Sequence, residues 1–262
     1  MKKICIFCSR RANSDEDVIP KWILRLLRRQ ERERVPMRTY RFGQPPKDHM
    51  VGESAQKVGS VCGKCNNGWM SNLEADLKPI LTPMILGNSV SLTLVRRERI
   101  TTWLTKCAMM YESMAQGEKF YDGLDHHHLR NTVNPFQSTS VWLGRYTGTV
   151  ARHIMDYRFL LRQQAPGGSV KIIVLTMVIG QLALQLTNAK WSTLVPQIDL
   201  PTFVLPTTKD MLVQVWPASF TEVQWPPPIN FDDAENRIKY LAVRFGGKEL
   251  ADKPRPDMPE GK

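Results

Sequence analysis

Apolar residues recur with two different periods along this chain, and the change of period separates a helical region from a sheet region. Between about residues 97 and 116 they recur every three or four positions, which predicts one long helix. Its apolar stripe consists of Ile100, Trp103, Leu104, Cys107, Ala108, Tyr111 and Met114. Because Cys107 lies on this stripe, we expect its thiol to be a buried apolar group and not a nucleophile.

Two shorter helices are predicted before the long one. The first begins at Pro20, since proline fits the first helical turn, where no amide donor is missed. Its apolar side consists of Trp22, Ile23, Leu26 and Leu27. The second begins at Cys65 and ends at Pro79, and its apolar side consists of Trp69, Met70, Leu73 and Leu77. Residues 35–60 predict an insert with short strands at 37–42 and 56–61 around a proline-containing segment at 44–47.

After residue 135 the pattern changes to short β-branched or alternating segments separated by Gly, Pro and Asn. Such segments predict strands, here in a mainly antiparallel sheet. They span residues 138–145, 157–162, 170–179, 181–187, 202–205, 212–216 and 238–244. We expect Trp216-Pro217 and Trp225-Pro226 to form packed corners at the edge of this sheet.

The cysteines add a metal site to this picture. Cys5 and Cys8 form one C-x2-C pair, Cys62 and Cys65 form another, and 53 residues separate the pairs. Two such pairs supply the four thiolates of a tetrahedral zinc site, which leaves no position open for a substrate. The sequence therefore predicts a structural zinc ion.

The net charge of +11 points to a polyanionic partner, most simply nucleic acid, and the alternative is a soluble surface with surplus lysine and arginine. Residues 1–66 hold fifteen Lys and Arg against seven Asp and Glu, so most of the excess lies beside the cysteine pairs. On the first helix, phosphate contacts are predicted for Arg25, Arg28, Arg29 and Arg32. The alternative is a solvated helix face.

No apolar run follows Met1-Lys2-Lys3, and the longest apolar stretch, residues 172–186, is interrupted by polar residues. It is also shorter than the roughly 20 residues that a membrane span needs. We therefore expect a cytoplasmic protein with no membrane contact, in which paired cysteines bind metal. The chain also has no phosphate-binding loop, nucleophile elbow or dinucleotide fingerprint.

Three strings within residues 1–80 carry a resemblance to a known family. They are Cys5-Ile6-Phe7-Cys8, Glu16-Asp17-Val18-Ile19-Pro20-Lys21-Trp22 and Val61-Cys62-Gly63-Lys64-Cys65-Asn66-Asn67-Gly68-Trp69-Met70. In this order they resemble the HNH (His-Me finger) endonucleases, and most of all the subgroup that carries its active site on a treble-clef zinc finger. The resemblance implies a ββα zinc module that acts on DNA.

The resemblance also implies roles for three residues. Asp17 stands where the family has the histidine that acts as general base, Glu16 where it has a ligand of the catalytic magnesium, and Asn66 where a His or Asn completes that metal site. An aspartate is a much poorer base than a histidine, and losing such a base typically costs roughly 10²–10⁴-fold in rate. The oxygen donors of the three residues nevertheless suit magnesium or manganese.

Three interpretations of these residues stay open. The protein has lost catalysis and kept DNA binding, or it cuts with an altered metal site, or Glu16 and Asp17 merely cap the helix that begins at Pro20. A different class of function is also open: a zinc-stabilised, non-catalytic binding or adaptor protein whose β-rich domain recognises a protein or small molecule.

Few histidines are available to replace the missing base. His49 lies between the cysteine pairs and is one candidate. His126, His127 and His128 are predicted on a surface helix after Gly123, where consecutive residues point about 100° apart and cannot all bind one ion.

The fold class predicted is α+β. Residues 1–80 form the treble-clef zinc module, residues 81–135 a helical connector, and residues 136–250 a larger antiparallel β-rich domain. Residues 251–262 are rich in proline and charge, which predicts a disordered tail.

Overall fold

The computed structural model describes residues 3–27, 34–41, 44–52, 57–114, 119–148, 153–164, 168–191, 211–218 and 221–230. Helices and strands both occur along this part of the chain, so the prediction of a mixed α+β fold is confirmed. The predicted strands at 202–205 and 238–244 and the predicted tail at 251–262 lie outside the described residues.

Five α-helices are described. They are α1 (Lys21–Leu26), α2 (Gly63–Cys65), α3 (Ser71–Ile85), α4 (Leu94–Met114) and α5 (Gly123–Thr132). A π-helical turn, Asn66–Met70, joins α2 to α3. Helix α4 confirms the long helix that the apolar spacing predicts, to within a few residues at each end. No helix among the described residues has the length and apolar character to cross a bilayer.

Eleven strands are described. They are β1 (Ser14–Asp17), β2 (Arg34–Arg41), β3 (Gln44–Gly52), β4 (Lys57–Val61), β5 (Val90–Leu92), β6 (Thr139–Arg145), β7 (His153–Gln164), β8 (Gly168–Ile179), β9 (Leu182–Trp191), β10 (Val213–Trp216) and β11 (Val223–Trp225). Two small sheets pair β1 with β4 and β5 with β11, and the other strands form one large sheet.

The large sheet takes strands from both halves of the chain. Its order is β10-β6-β9-β8-β7-β2-β3, and every neighbouring pair is antiparallel except β2 and β7. Met37 of β2 lies opposite Met155 of β7. Strands β2 and β3 of the insert thus belong to the sheet of the second half, whereas β4 pairs with β1. A two-stranded ribbon alone is only marginally stable in water, so β7 supports the β2–β3 ribbon.

Two local predictions in the first half are wrong. The segment at 44–47 is the beginning of β3, which tolerates Pro45 and Pro46 because it is the last strand in the sheet order among the described strands. Helix α3 does not end at Pro79 but continues through Pro79 and Pro83 to Ile85. An interior proline costs roughly 3 kcal/mol. The burial of Ile80, Leu81, Met84 and Ile85 beyond Pro79 outweighs that cost.

Helix α4 lies at the centre of the molecule. It contacts α3, β4, β5, β6, β9 and β10, and every residue from 100 to 112 is buried. The sequence predicts burial of a single apolar stripe, but the polar residues of this segment are buried too. They are tolerated there because their side chains find partners inside the fold. The hydroxyls of Thr101 and Thr105 donate to the carbonyl oxygens of Arg97 and Thr101, at 2.9 and 2.8 Å.

Cys107 confirms its predicted structural role. Its side chain is fully buried on α4, and its Sγ lies 3.5 Å from the carbonyl oxygen of Val18. Burial raises the pKa of this thiol to about 12, so it stays protonated and unreactive at neutral pH.

The predicted surface helix after Gly123 is α5. Asp122 and Asp125 form a reciprocal capping box at its first turn, and Lys190 of β9 donates to both carboxylates. His127 and His128 are exposed, whereas the His126 ring lies edge-on to Phe7 with 5.4 Å between the ring centroids. The three histidines therefore do not converge on one ion, as predicted.

Trp225 is packed as predicted, but it lies on β11, which pairs with β5 and not with the large sheet. Its side chain is buried, and Nε1 donates to the carbonyl oxygen of Gly144 at 3.3 Å. Trp216 is partly buried and packs against the same core. The peptide bonds that join each tryptophan to the following proline are cis.

Candidate metal centre

The first cysteine pair lies in a tight hairpin at the start of the described chain. The backbone N–H of Cys5 donates to the carbonyl oxygen of Arg10 at 2.7 Å, and that of Ala12 donates to Lys3 at 2.9 Å. Phe7, between the two cysteines, is fully buried and packs edge-on against Trp69 at 5.2 Å. The hairpin thus holds both thiols towards the interior.

The second cysteine pair lies where β4 leads into α2. The backbone N–H groups of Cys65 and Asn66 both donate to the carbonyl oxygen of Cys62 at 3.0 Å, which forms a tight turn. Two links bring this turn to the first hairpin. Strand β4 pairs with β1, and the Asn13 side-chain oxygen accepts from the N–H of Gly63 at 2.9 Å.

The four sulfur atoms meet in one buried cluster. All four ligand atoms lie within 4.8 Å of one another, with Cys8 Sγ at 3.4 Å from Cys62 Sγ and 3.5 Å from Cys65 Sγ. Four sulfurs about 2.3 Å from a tetrahedral ion would lie about 3.8 Å apart. The cluster fits such an ion, and none of the four cysteines forms a disulfide. The prediction that these residues form a candidate metal-binding site is confirmed.

The electrostatics of the cluster also favour a cation. Burial raises the pKa of Cys5 and of Cys65. Burial acts in the same direction on Cys62, but hydrogen bonds from the Cys65 backbone and from neighbouring thiols bring its pKa down to about 7. Several thiolates cannot be buried side by side without a compensating positive charge, which a bound metal ion supplies. Since all four ligands are cysteines, the site is consistent with a structural metal.

Glu16 lies near the metal cluster in sequence but belongs to a different constellation. Its side chain on β1 is 8% exposed, and its Oε1 accepts from Lys106 Nζ at 2.6 Å. The same ammonium donates to Glu74 Oε1 of α3 at 2.6 Å, and the Lys106 side chain is completely buried. We call these three residues the buried triad.

The ammonium of the triad is charged at neutral pH. Burial alone would lower the pKa of Lys106, but the charges of Glu74 and Glu16 outweigh that effect and raise it above its usual range. One positive charge is thus shared by two carboxylates, each from a different element of the fold.

Asn66 and Asp17 face other neighbours. The Asn66 side-chain N–H₂ donates to Ser14 Oγ at 2.7 Å and to the carbonyl oxygen of Asp15 at 3.2 Å, which ties the second cysteine turn to β1. Asp17 is only partly buried, and it pairs with Lys57 in the ladder. Successive strand residues point to opposite faces, so Glu16 and Asp17 do not present their carboxylates on one side of β1.

The interpretation that Glu16 and Asp17 cap the first helix is wrong. The cap residue of α1 is Pro20, no side chain caps it, and its first turn holds no acidic residue. The strand β1 places Glu16 in the interior instead, where it neutralises Lys106.

Of the arginines predicted to contact phosphates, Arg25 is exposed on α1. Arg28, Arg29 and Arg32 lie outside the described residues, as does the side chain of His49. Several other basic residues of this region are exposed as well. The exposed basic residues of this region are Lys3, Arg10, Arg11, Lys21, Arg25, Lys57 and Lys64, and we call them the basic residues of the module.

Sequence reasoning missed Lys106 and Glu74. A signal for Lys106 exists, since it is the charged residue in the apolar middle of the long helix, directly before Cys107. A lysine in that position needs an acidic partner, but nothing in the sequence identifies which carboxylates provide it.

No protein-family model matches the chain, and neither the curated proteins nor the solved structures contain a significant match. The resemblance to HNH endonucleases therefore stays a prediction that rests on the motif residues.

Proposed function

We propose that the protein is an HNH-like DNA-binding protein, built on a structural zinc site, that does not cut DNA. The observation that carries the proposal is the charge of the surface near the two cysteine turns. Arg10 and Arg11 lie in the hairpin of the first cysteine pair. Lys64 lies in the second cysteine turn, between Cys62 and Cys65. All three are exposed.

Acidic residues do not offset this charge. In the described residues 3–27 and 57–70 the carboxylates are Asp15, Glu16 and Asp17, and Glu16 is buried against Lys106. The basic residues of the module thus form an exposed excess of positive charge, which favours phosphate contacts.

Zinc is the metal that best suits the cluster. Four thiolates with no carboxylate or water form the donor set typical of structural zinc in small modules. An ion there would hold the two cysteine turns together, and with them the basic residues on either side.

Two features argue against cleavage. Asp17 stands where the family has a histidine, and a carboxylate is a much weaker general base than an imidazole. Glu16, the proposed magnesium ligand, is occupied by Lys106 at 2.6 Å. The site that the HNH resemblance implies therefore lacks a good base, and its magnesium ligand Glu16 is not free to bind an ion.

DNA binding can be tested through its salt dependence. We expect the zinc-loaded protein to bind a short duplex, with an affinity that falls steeply between about 50 and 200 mM salt. Arg10→Gln combined with Lys64→Gln should flatten the plot of log K against log salt by about 1.8 units, since each phosphate contact contributes about 0.9. Fluorescence anisotropy with labelled DNA and RNA measures this slope.

The control is Lys78→Gln, an exposed lysine on α3, which should leave the slope unchanged. If the wild-type protein does not bind DNA even at low salt, a zinc-stabilised adaptor whose β-rich domain binds a protein or small molecule becomes the better proposal.

The first helix is tested in the same assay. Arg25→Gln combined with Arg28→Gln should also flatten the slope by about 1.8 units if both residues contact phosphates. An unchanged slope would assign these two arginines to a solvated face and limit the interface to the cysteine turns.

Asp17→His tests the loss of catalysis. We expect this variant to leave plasmid DNA intact with magnesium, manganese or nickel, because Glu16 stays bound to Lys106 even when a base is present. Nicking by Asp17→His would mean that the metal site is already assembled. Nicking by the wild-type protein that the substitution reduces would mean that Asp17 is a working ligand.

A further inference from the structure

Two carboxylates from distant parts of the chain converge on one buried point. Glu16 Oε1 of β1 and Glu74 Oε1 of α3 each lie 2.6 Å from Lys106 Nζ. Their side chains are 8% and 21% exposed, and the lysine is not exposed at all. The point is therefore shielded from water, and its position is fixed by three packed elements of the fold.

The arrangement is that of a cation between two carboxylates. The 2.6 Å between the ammonium and each carboxylate equals the upper limit of calcium–oxygen distances, about 2.3–2.6 Å, whereas magnesium–oxygen distances are about 2.0–2.1 Å. A smaller ion at this point would therefore draw the two carboxylates closer together. Without the ammonium, two like charges would be buried next to each other, and they would recruit either protons or another cation.

We propose that Lys106 is a built-in cation that occupies a latent divalent-metal site formed by Glu16 and Glu74, and that it keeps this site closed to metal. A divalent ion cannot enter while the ammonium is present, because the ion would be repelled by a fixed positive charge within a few ångströms. That a closed site prevents DNA cleavage rests on the proposed function. Metal binding by Glu16 and Glu74 does not, because it is measured without DNA.

Removing the lysine in two ways tests the proposal. Lys106→Ala removes the charge and leaves room for an ion and its water ligands. Lys106→Met removes the charge but fills the same space. On zinc-loaded protein, Mn²⁺ binding is followed by electron paramagnetic resonance of the free ion and by the shift of the melting temperature with added Mn²⁺.

We expect Lys106→Ala to bind one Mn²⁺ per chain that the wild-type protein does not bind, and to melt at a higher temperature when Mn²⁺ is added. Lys106→Met should show neither effect. Adding Glu16→Gln or Glu74→Gln to Lys106→Ala should abolish the new site, since each removes one of its two carboxylates.

Three results would overturn the proposal. The first is a folded Lys106→Ala variant with no added Mn²⁺ site. The second is a Lys106→Ala chain that stays unfolded both with and without Mn²⁺, because the ion should replace the lost charge. The third is Mn²⁺ binding by the wild-type protein that Glu16→Gln removes, because Glu16 would then already be a metal ligand. None of these results bears on whether the protein binds DNA.

Discussion

Cys62→Ser is expected to release the metal and to destabilise the whole protein. Structural zinc contributes about 10–16 kcal/mol of apparent binding free energy in small modules, which is comparable with the total stability of a domain, about 5–15 kcal/mol. The loss of stability should extend beyond the cysteine turns, because one continuous core extends from Cys5 through α4 to Val215 of β10. We therefore expect one cooperative transition at a much lower temperature, and not a stable sheet beside an unfolded module.

Two measurements check this expectation. Elemental analysis should find about one zinc per wild-type chain and much less in Cys62→Ser, and circular dichroism gives the melting temperature. Cys107→Ser is the matched control, since Cys107 is equally buried but lies outside the metal cluster. It should keep its metal and lose only about 1–3 kcal/mol, the cost of burying a hydroxyl. A Cys62→Ser protein with wild-type metal content and melting temperature would contradict the metal site.

Lys106→Met should lower the free energy of unfolding by about 3–5 kcal/mol, because it leaves two carboxylates buried without their counter-ion. The triple variant Glu16→Gln, Lys106→Met, Glu74→Gln should recover much of this loss, since it removes all three charges and nearly preserves the volumes. Urea denaturation at neutral pH compares the proteins. Lys78→Met, on an exposed lysine of α3, is the control and should change stability by less than about 0.5 kcal/mol.

The effect of Lys106→Met should depend on pH. Burial already raises the pKa of Glu16 in the wild-type protein, and loss of the ammonium raises it further. A carboxyl whose pKa is higher in the folded than in the unfolded state stabilises the fold when protonated, and that contribution is lost as pH rises through the folded pKa. The variant should therefore be least destabilised in mildly acidic buffer. A loss of stability below about 1 kcal/mol at every pH would mean that the triad is not a buried charge network.

The candidate metal site was predictable because its signal is local. Each pair of cysteines is close in sequence, and the spacing within each pair suffices to predict a turn that binds metal. The long helix α4 was predictable for a similar reason, since its apolar residues repeat over many turns. Both predictions required only short-range patterns.

The buried triad and the large sheet depend on long-range pairing. Glu16 and Lys106 are 90 residues apart, and Lys106 and Glu74 are 32 apart. Periodicity predicts that β2 is a strand but not that its partner is β7, because nothing in a single sequence fixes which strands pair. The continuation of α3 through Pro79 and Pro83 could not be predicted for the same reason. It depends on tertiary packing, which outweighs the local tendency of proline to end a helix.

The parallel pairing of β2 with β7 affects how the protein can be made. Met37 emerges from the ribosome well before Met155, so β2 and β3 have no sheet to join until more than a hundred further residues have been synthesised. Such distant contacts make folding slow and leave strand edges exposed for longer. A fragment that ends after α4 would carry the cysteine turns together with a ribbon that lacks its neighbour. The cysteine-containing region is therefore not expected to behave as a separable unit, and studies of its metal and DNA binding require the full chain.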